Sequence, residues 1–179
     1  MIYLIFVTAV LTRFLSNSHL PELSPIFGAL LFCSARLKRR DALWFPLTVL
    51  ALTEWVLTTQ VFHMELKWGQ SITLLGFAAM AWIGGLLRKQ LTLSRFVGCA
   101  TGGSSAYFLI SNFGVWLTWG TYPHTRDGLV ACYVAALPYY RSSLLSTLIF
   151  GAVLFWGYEW MRRRHQGAEL ESSAAQVIR

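Results

Sequence analysis

Long apolar runs separated by short polar links dominate the chain. A helix that crosses a lipid bilayer needs about 20 apolar residues. Six runs approach this pattern, at residues 1–15, 26–35, 42–59, 71–87, 96–119 and 142–161. The run at 26–35 is short, which indicates either extension at both ends or a half-helix packed among its neighbours. A further short stretch, 130–138, is either a re-entrant segment or the start of the last helix. The pattern predicts an all-α integral membrane bundle of six transmembrane helices, one of them short or re-entrant.

The runs form a single membrane domain, predicted over residues 1–164. Residues 1–15 lack the basic region and the small-residue cleavage site of a signal peptide. We therefore interpret them as an uncleaved first membrane helix. Residues 165–179 are polar and small, which predicts a flexible polar tail on the cytoplasmic side.

Positive charge is concentrated in alternate links between the runs. The chain has 15 Lys and Arg against 8 Asp and Glu, and its formal net charge is +7. Most of the basic residues lie in the links at 36–40, 88–95 and 162–164. Basic loops of membrane proteins stay in the cytoplasm, so both termini are expected there. This placement of charge indicates the lipid bilayer, and no nucleic acid, as the partner.

Glu54 is the only acidic residue in the middle of an apolar run. An ionisable group in the bilayer costs about 2.5–3.5 kcal/mol on insertion scales, so such residues usually face the protein interior or a cavity. One interpretation is that Glu54 lines a substrate or ion site. The other is that it lies near the outer end of its helix and is solvated, since Thr58, Thr59 and Gln60 follow it.

An aromatic surface with hydrogen-bonding groups is predicted at the outer face. Asn112 is an amide inside an apolar run and needs partners. Asn112 and Trp116 are four residues apart, so they share one face of a helix. This surface is interpreted as the wall of a ligand pocket, and an interfacial aromatic belt is the alternative. The predicted substrate-binding residues are Glu54, Asn112, Trp116, Tyr122, His124 and Tyr133.

The sequence predicts no catalytic residues, no metal and no cofactor. His63, His124 and Cys132 could reach an outer site, but they lack ligand spacing within one helix. The chain has no glycine-rich phosphate loop and no pair of carboxylates within the membrane runs. We therefore expect no enzymatic activity, and a membrane enzyme is the least supported reading.

Several motifs resemble an uncharacterised family of small bacterial membrane proteins. They are Asn17, Pro25 followed by Gly28-Ala29-Leu30-Leu31-Phe32, and a series from Asn112-Phe113-Gly114-Val115-Trp116 through Tyr122-Pro123-His124-Thr125, Gly128-Leu129 and Cys132-Tyr133 to Ala136-Leu137-Pro138. That family is similar to the substrate-binding S components of energy-coupling-factor (ECF) vitamin transporters. The resemblance implies an S-component-like bundle in the bacterial cytoplasmic (inner) membrane, with a small-molecule ligand near the outer face. It also implies docking, through a surface of small residues, to a transmembrane coupling subunit driven by ATPases.

The expected function is therefore substrate binding for the uptake of a small vitamin- or cofactor-like molecule, powered by partner subunits. The alternative is an accessory or structural membrane protein that packs with another membrane complex and has no small-molecule substrate. The spacing of Gly98, Gly102 and Ala106 also predicts a helix face that another helix backbone approaches closely.

Overall fold

The computed structural model describes residues 2–15, 24–61, 63 and 68–177. Over these residues the chain is helical with no β-strand, which confirms the all-α prediction. The helices are α1 (Ile2–Leu15), α2 (Ile26–Arg36), α3 (Asp41–Val56), α4 (Trp68–Gly84), α5 (Leu93–Thr118) and α6 (Arg126–Val177). A π-helical turn, Leu57–Val61, prolongs α3, and a 3₁₀ turn, Gly85–Arg88, prolongs α4.

Three of the helical segments are long and apolar enough to cross a membrane. They are Asp41–Val61, Trp68–Arg88 and Arg126–Arg164. The apolar helices Ile2–Thr12 and Ile26–Arg36 are shorter. α5 has 26 residues, and its glycine, serine and threonine residues make it less apolar than these three segments. The structure thus shows three helices that are suited by length and composition to a bilayer, within the six-helix arrangement.

α2 is the centre of the packing, although it is the shortest α-helix among the described residues. Its whole length from Ile26 to Ala35 is buried, and it contacts every other helix. At a rise of 1.5 Å per residue, its 11 residues span about 16 Å, roughly half of the 30 Å hydrocarbon core of a bilayer. The apolar run at 26–35 is therefore a half-helix among neighbours.

Glycines allow the close approach of two helices to α2. A Cβ atom at Gly28 would lie 2.5 Å from the backbone nitrogen of Gly151 on α6. A Cβ atom at Gly84, at the end of α4, would lie 3.2 Å from the Cα atom of Leu31. Backbone therefore packs against backbone at the first of these crossings, which fixes the separation of α2 and α6.

The basic links gather at one end of the bundle. Arg36, at the end of α2, forms an ion pair with Glu159 on α6, and Glu159 also lies 3.7 Å from Arg162. Arg88 donates a hydrogen bond of 2.6 Å to the backbone oxygen of Ser34. We call this end of the bundle, which holds Arg36, Arg88, Glu159 and Arg162, the basic end. The three links that the sequence grouped by charge are thus neighbours in space.

α6 is continuous through the stretch for which the sequence left two readings open. Residues 130–138 form an early part of this helix, so a re-entrant segment there is excluded. Pro138 is accommodated inside the helix. The backbone also stays helical beyond Arg164 to Val177, so the described part of the predicted polar tail is a continuation of α6.

The small-residue face of α5 differs from the predicted one. A Cβ atom at Gly98 or Gly102 would have no heavy atom of the described residues within 4 Å, so neither glycine supports a close helix contact within this part of the chain. A Cβ atom at Gly103 would instead lie 3.1 Å from the Cγ atom of Met80 on α4. Gly102 and Gly103 lie about 100° apart around the helix, so the contact inside the bundle uses Gly103, while contact of Gly98 and Gly102 with another protein stays a prediction.

Candidate functional site

A cavity of about 380 Å³ lies at the end of α2 that is remote from the basic end. It is bounded by α2, α4, α5 and α6. We call it the central cavity. Its lining residues are Ser24, Ile26, Phe27, Thr73, Phe77, Ser104, Tyr107, Phe108, Ser111, Asn112, Val115, Ala136, Tyr139, Tyr140 and Ser143.

Two groups of aromatic rings form apolar walls of the central cavity. Between α2, α4 and α5, the ring centroids of Phe27 and Phe77 lie 4.9 Å and 4.7 Å from that of Tyr107. Between α5 and α6, the ring of Phe108 lies 5.0 Å from that of Tyr140. Aromatic pairs at these distances are favourable beyond the area they bury. The walls are therefore pre-organised surfaces on which a flat apolar group can lie.

Hydroxyl groups line the same space, and several are fixed by bonds within the protein. The Ser104 hydroxyl lies 3.2 Å from that of Thr147, and the Tyr140 hydroxyl lies 2.9 Å from that of Ser105. Thr73 donates to the backbone oxygen of Gly69 at 3.1 Å. Each of these hydroxyls still has acceptor capacity, because a hydroxyl oxygen carries two lone pairs.

Asn112 is the strongest polar group at the cavity. Its amide nitrogen donates a hydrogen bond of 2.8 Å to the backbone oxygen of Phe108. Among the described residues the other amide hydrogen and the side-chain oxygen have no protein partner. A half-buried amide needs partners for these atoms. Asn112 therefore offers one donor and one acceptor to a bound molecule.

The described lining of the central cavity has no charged side chain. Its polar atoms belong to serine, threonine, tyrosine and asparagine alone. Burying an unpaired charge is costly, so this part of the lining suits an uncharged group that forms hydrogen bonds.

Trp116 and His124 belong to a different arrangement from the one that the sequence predicted. The Trp116 indole nitrogen donates to the backbone oxygen of Pro123 at 3.0 Å. The His124 ring nitrogen lies 3.1 Å from the backbone oxygen of Trp116, and the two rings are 5.2 Å apart. These contacts fold the α5–α6 connection onto the end of α5. Tyr122 lies half-buried in that connection, and none of the three residues lines the central cavity.

Tyr133 stands behind the cavity wall. Its hydroxyl donates to the backbone oxygen of Leu109 at 2.7 Å, and its ring lies 5.5 Å from that of Phe108. Glu54 is half-buried in the last turn of α3, which packs on α1, α2 and α4. Neither residue lines the central cavity. Of the six predicted residues, only Asn112 lies in the lining of the central cavity. The α5–α6 connection bonds to Trp116, and α3, which carries Glu54, does not border the cavity.

Apart from Asn112, the lining residues of α5 were not predicted from the sequence, although the helix carries a pattern that indicates them. Ser104, Phe108, Ser111, Asn112 and Val115 follow the spacing of one helical face. Polar residues recur on that face inside an otherwise apolar helix. The contributions of α2 and α4, at Phe27 and Phe77, had no such signal, because aromatic residues in an apolar run are typical of any helix core.

The described residues hold no group of three or more His, Cys, Asp or Glu side chains that could bind a metal ion. Cys132, named above with His63 and His124, is buried, and its thiol donates to the backbone oxygen of Asn112 at 3.6 Å. His63 is exposed and has a positive φ of 51°. Cys132 thus serves the contact between α5 and α6.

The family of unknown function DUF6580 matches residues 1–170 of the chain. No curated protein and no solved structure was found to match the chain.

Proposed function

We propose that this chain, which belongs to the DUF6580 family, captures a small uncharged molecule in its central cavity for uptake across a membrane. The observation that carries the proposal is the Asn112 side chain at the central cavity, where its amide oxygen and one amide hydrogen lack a partner among the described residues. Ligand sites are typically apolar spaces with a few placed polar groups. The combination of aromatic walls, hydroxyl groups and one amide fits that description.

The chemistry of the walls supports a ligand with a flat, partly apolar body and neutral hydrogen-bonding groups. Phe27, Phe77 and Tyr107 can contact the body, whereas Asn112 and Ser111 can bond to its polar edge. A vitamin- or cofactor-like heterocycle has these features.

The membrane arrangement that goes with this function has six membrane helices, of which α2 is the half-length one, and both termini in the cytoplasm. Support comes from the basic end, where Arg36, Arg88 and Arg162 lie together and the positive-inside rule places the cytoplasm. The central cavity then lies toward the outer face, where a molecule from outside can reach it. We place the chain, by its resemblance to S components, in the bacterial inner membrane.

The chain would act together with a separate motor. By the same resemblance, a transmembrane coupling subunit and ATPases supply the energy, while this chain supplies the binding site. Gly98 and Gly102 on α5 have open space around them, which leaves a smooth strip of helix surface that such a subunit could contact.

Substitution of Asn112 tests the proposal most directly. Loss of one hydrogen-bonding partner of a buried polar group costs about 1–3 kcal/mol, which corresponds to about a tenfold to hundredfold loss of affinity. The full-length protein is purified in a mild detergent and denatured, and the released small molecules are quantified by mass spectrometry. We expect Asn112→Ala to retain at least about tenfold less of a small molecule that the wild type retains.

Thr101→Ala is the matched control, because Thr101 is an exposed polar residue on the same helix and does not line the cavity. We expect this variant to retain as much as the wild type. Equal retention by Asn112→Ala and wild type would contradict the proposed site. A wild type that retains no small molecule, while it co-purifies with another membrane protein, would favour the accessory function instead.

A further inference from the structure

A second cavity, of about 410 Å³, lies at the basic end. It is formed by the end of α2, the link to α3, the first turn of α3 and the end of α4 with its 3₁₀ turn. We call it the basic pocket. Its lining residues are Ser34, Arg39, Ala42, Leu43, Ala81, Trp82, Gly85, Leu86 and Arg88.

Two guanidinium groups share the basic pocket without a carboxylate partner. Arg88 is held by its hydrogen bond of 2.6 Å to the backbone oxygen of Ser34, and Arg39 lies exposed on the turn before α3. Over the described part of the chain, neither residue forms an ion pair. The neighbouring acid, Asp41, accepts a hydrogen bond of 2.8 Å from the Tyr3 hydroxyl and is not part of the lining. The pocket therefore has an uncompensated positive charge.

The remaining wall of the basic pocket is apolar and open. Leu43, Trp82 and Leu86 line it and are 37%, 73% and 52% exposed. Trp82 and Leu86 lie on the segment Trp68–Arg88, which is long and apolar enough to cross a membrane. An apolar surface on such a segment faces acyl chains, whereas the two arginines lie at its polar end. The pocket thus joins an anion-binding end to a surface suited to hydrocarbon.

We propose that the basic pocket binds the headgroup phosphate of an anionic phospholipid. Arg39 and Arg88 bond to the phosphate oxygens, and the acyl chains lie along Leu43, Trp82 and Leu86. Arginine suits phosphate because its planar fork can form two parallel hydrogen bonds. Basic pockets between membrane helices are known to bind lipid headgroups in this way. The exposed tryptophan and leucines favour a lipid over a free phosphate ion, which would use the two arginines alone.

Lipid binding to the purified full-length protein tests this assignment. The protein in neutral detergent is titrated with phosphatidylglycerol or with phosphatidylcholine of the same acyl chains, and bound lipid is counted by native mass spectrometry. We expect phosphatidylglycerol to bind more tightly. Arg39→Gln should weaken its binding at least about tenfold, and Arg39→Glu further, because each removes charge-assisted hydrogen bonds to the phosphate. Arg39 is exposed, so the variants keep the fold, which gel filtration verifies.

Lys89→Gln is the matched control, since it removes one exposed positive charge at the same end and Lys89 is outside the lining. Its phosphatidylglycerol affinity should stay within twofold of wild type. Equal weakening by Lys89→Gln would reduce the effect to general surface charge and overturn the pocket. Inorganic phosphate is the second probe. If it displaces phosphatidylglycerol at millimolar concentration, and Trp82→Ala leaves lipid binding unchanged, the ligand is a free anion and the lipid assignment is wrong.

Discussion

The crossing of α2 and α6 offers a sharp test of the packing. Gly28→Ala adds one methyl group at a position where the structure leaves no space for it. Its Cβ atom would lie 2.5 Å from the Gly151 backbone nitrogen and 2.9 Å from the Phe150 backbone carbon. Ordinary contacts between heavy atoms begin at about 3.5 Å, so the two helices must separate by about 1 Å. Backbone atoms cannot rotate away as a side chain can.

The expected loss of stability follows from two opposing effects. Overpacking of this kind costs about 1–3 kcal/mol, and the backbone contact at Gly28 argues for the upper half of that range. Alanine in a helix interior is more favourable than glycine by about 0.5–1 kcal/mol. The net destabilisation is then about 1–2 kcal/mol. For a chain of this size, one kcal/mol lowers Tm by about 2–4 °C, so Gly28→Ala should melt about 2–8 °C lower.

Thermal unfolding of the purified protein in detergent, followed by tryptophan fluorescence, measures this difference. Gly102→Ala is the matched control, because it is the same substitution in a helix and has no heavy atom within 4 Å of its Cβ position. Only the favourable helix effect remains there, so its Tm should be unchanged or slightly higher. A Gly28→Ala variant with the Tm of the wild type would contradict the close crossing of α2 and α6. A Gly102→Ala variant with a Tm about 2–8 °C below the wild type would also contradict it.

Two further predictions concern the topology and the basic end. In a background without cysteine, Thr121→Cys should react with an impermeant thiol reagent in intact cells, and Thr92→Cys only after permeabilisation. The opposite pattern would invert the membrane orientation. Glu159→Gln should lower stability by about 1–3 kcal/mol, because it removes the carboxylate from Arg36, whose side chain is only 23% exposed. A double-mutant cycle with Arg36→Met measures the coupling, and additive losses of Tm would show that the pair contributes nothing.

The helical architecture could be predicted from the sequence because it depends on local patterns. Apolar runs bounded by basic links set the positions of the helices within a few residues, as for α4 and α5. The half-length of α2 was left open in the sequence, because the choice between an extended helix and a half-helix depends on its neighbours. The continuity of residues 130–138 with α6 was open for the same reason. Each depends on packing across the bundle, and not on the local sequence.

The site was harder to predict than the helices because sharing a helix face does not settle what covers that face. Asn112 and Trp116 do share one, yet the α5–α6 connection returns to Trp116 and takes its indole hydrogen bond at Pro123. Asn112 therefore lines the central cavity, whereas Trp116 contacts the α5–α6 connection, although both lie on one helix face. Phe27 and Phe77 come to the cavity only because α2 and α4 cross α5 at that level, which no short-range pattern encodes.

The short length of α2 accounts for the central cavity. Six helices of full length would fill the interior of the bundle at every depth, since protein interiors are close-packed. α2 begins at Ile26, after Pro25, and Pro25 has no backbone N–H group with which to prolong the helix toward the chain start. Above this point no residue of α2 lies beside α4, α5 and α6, and the central cavity lies at that level among the described residues. The same helix ends at Arg36, so its other end opens the basic pocket beside Ser34. Both pockets thus follow from one half-length helix at the centre of the bundle.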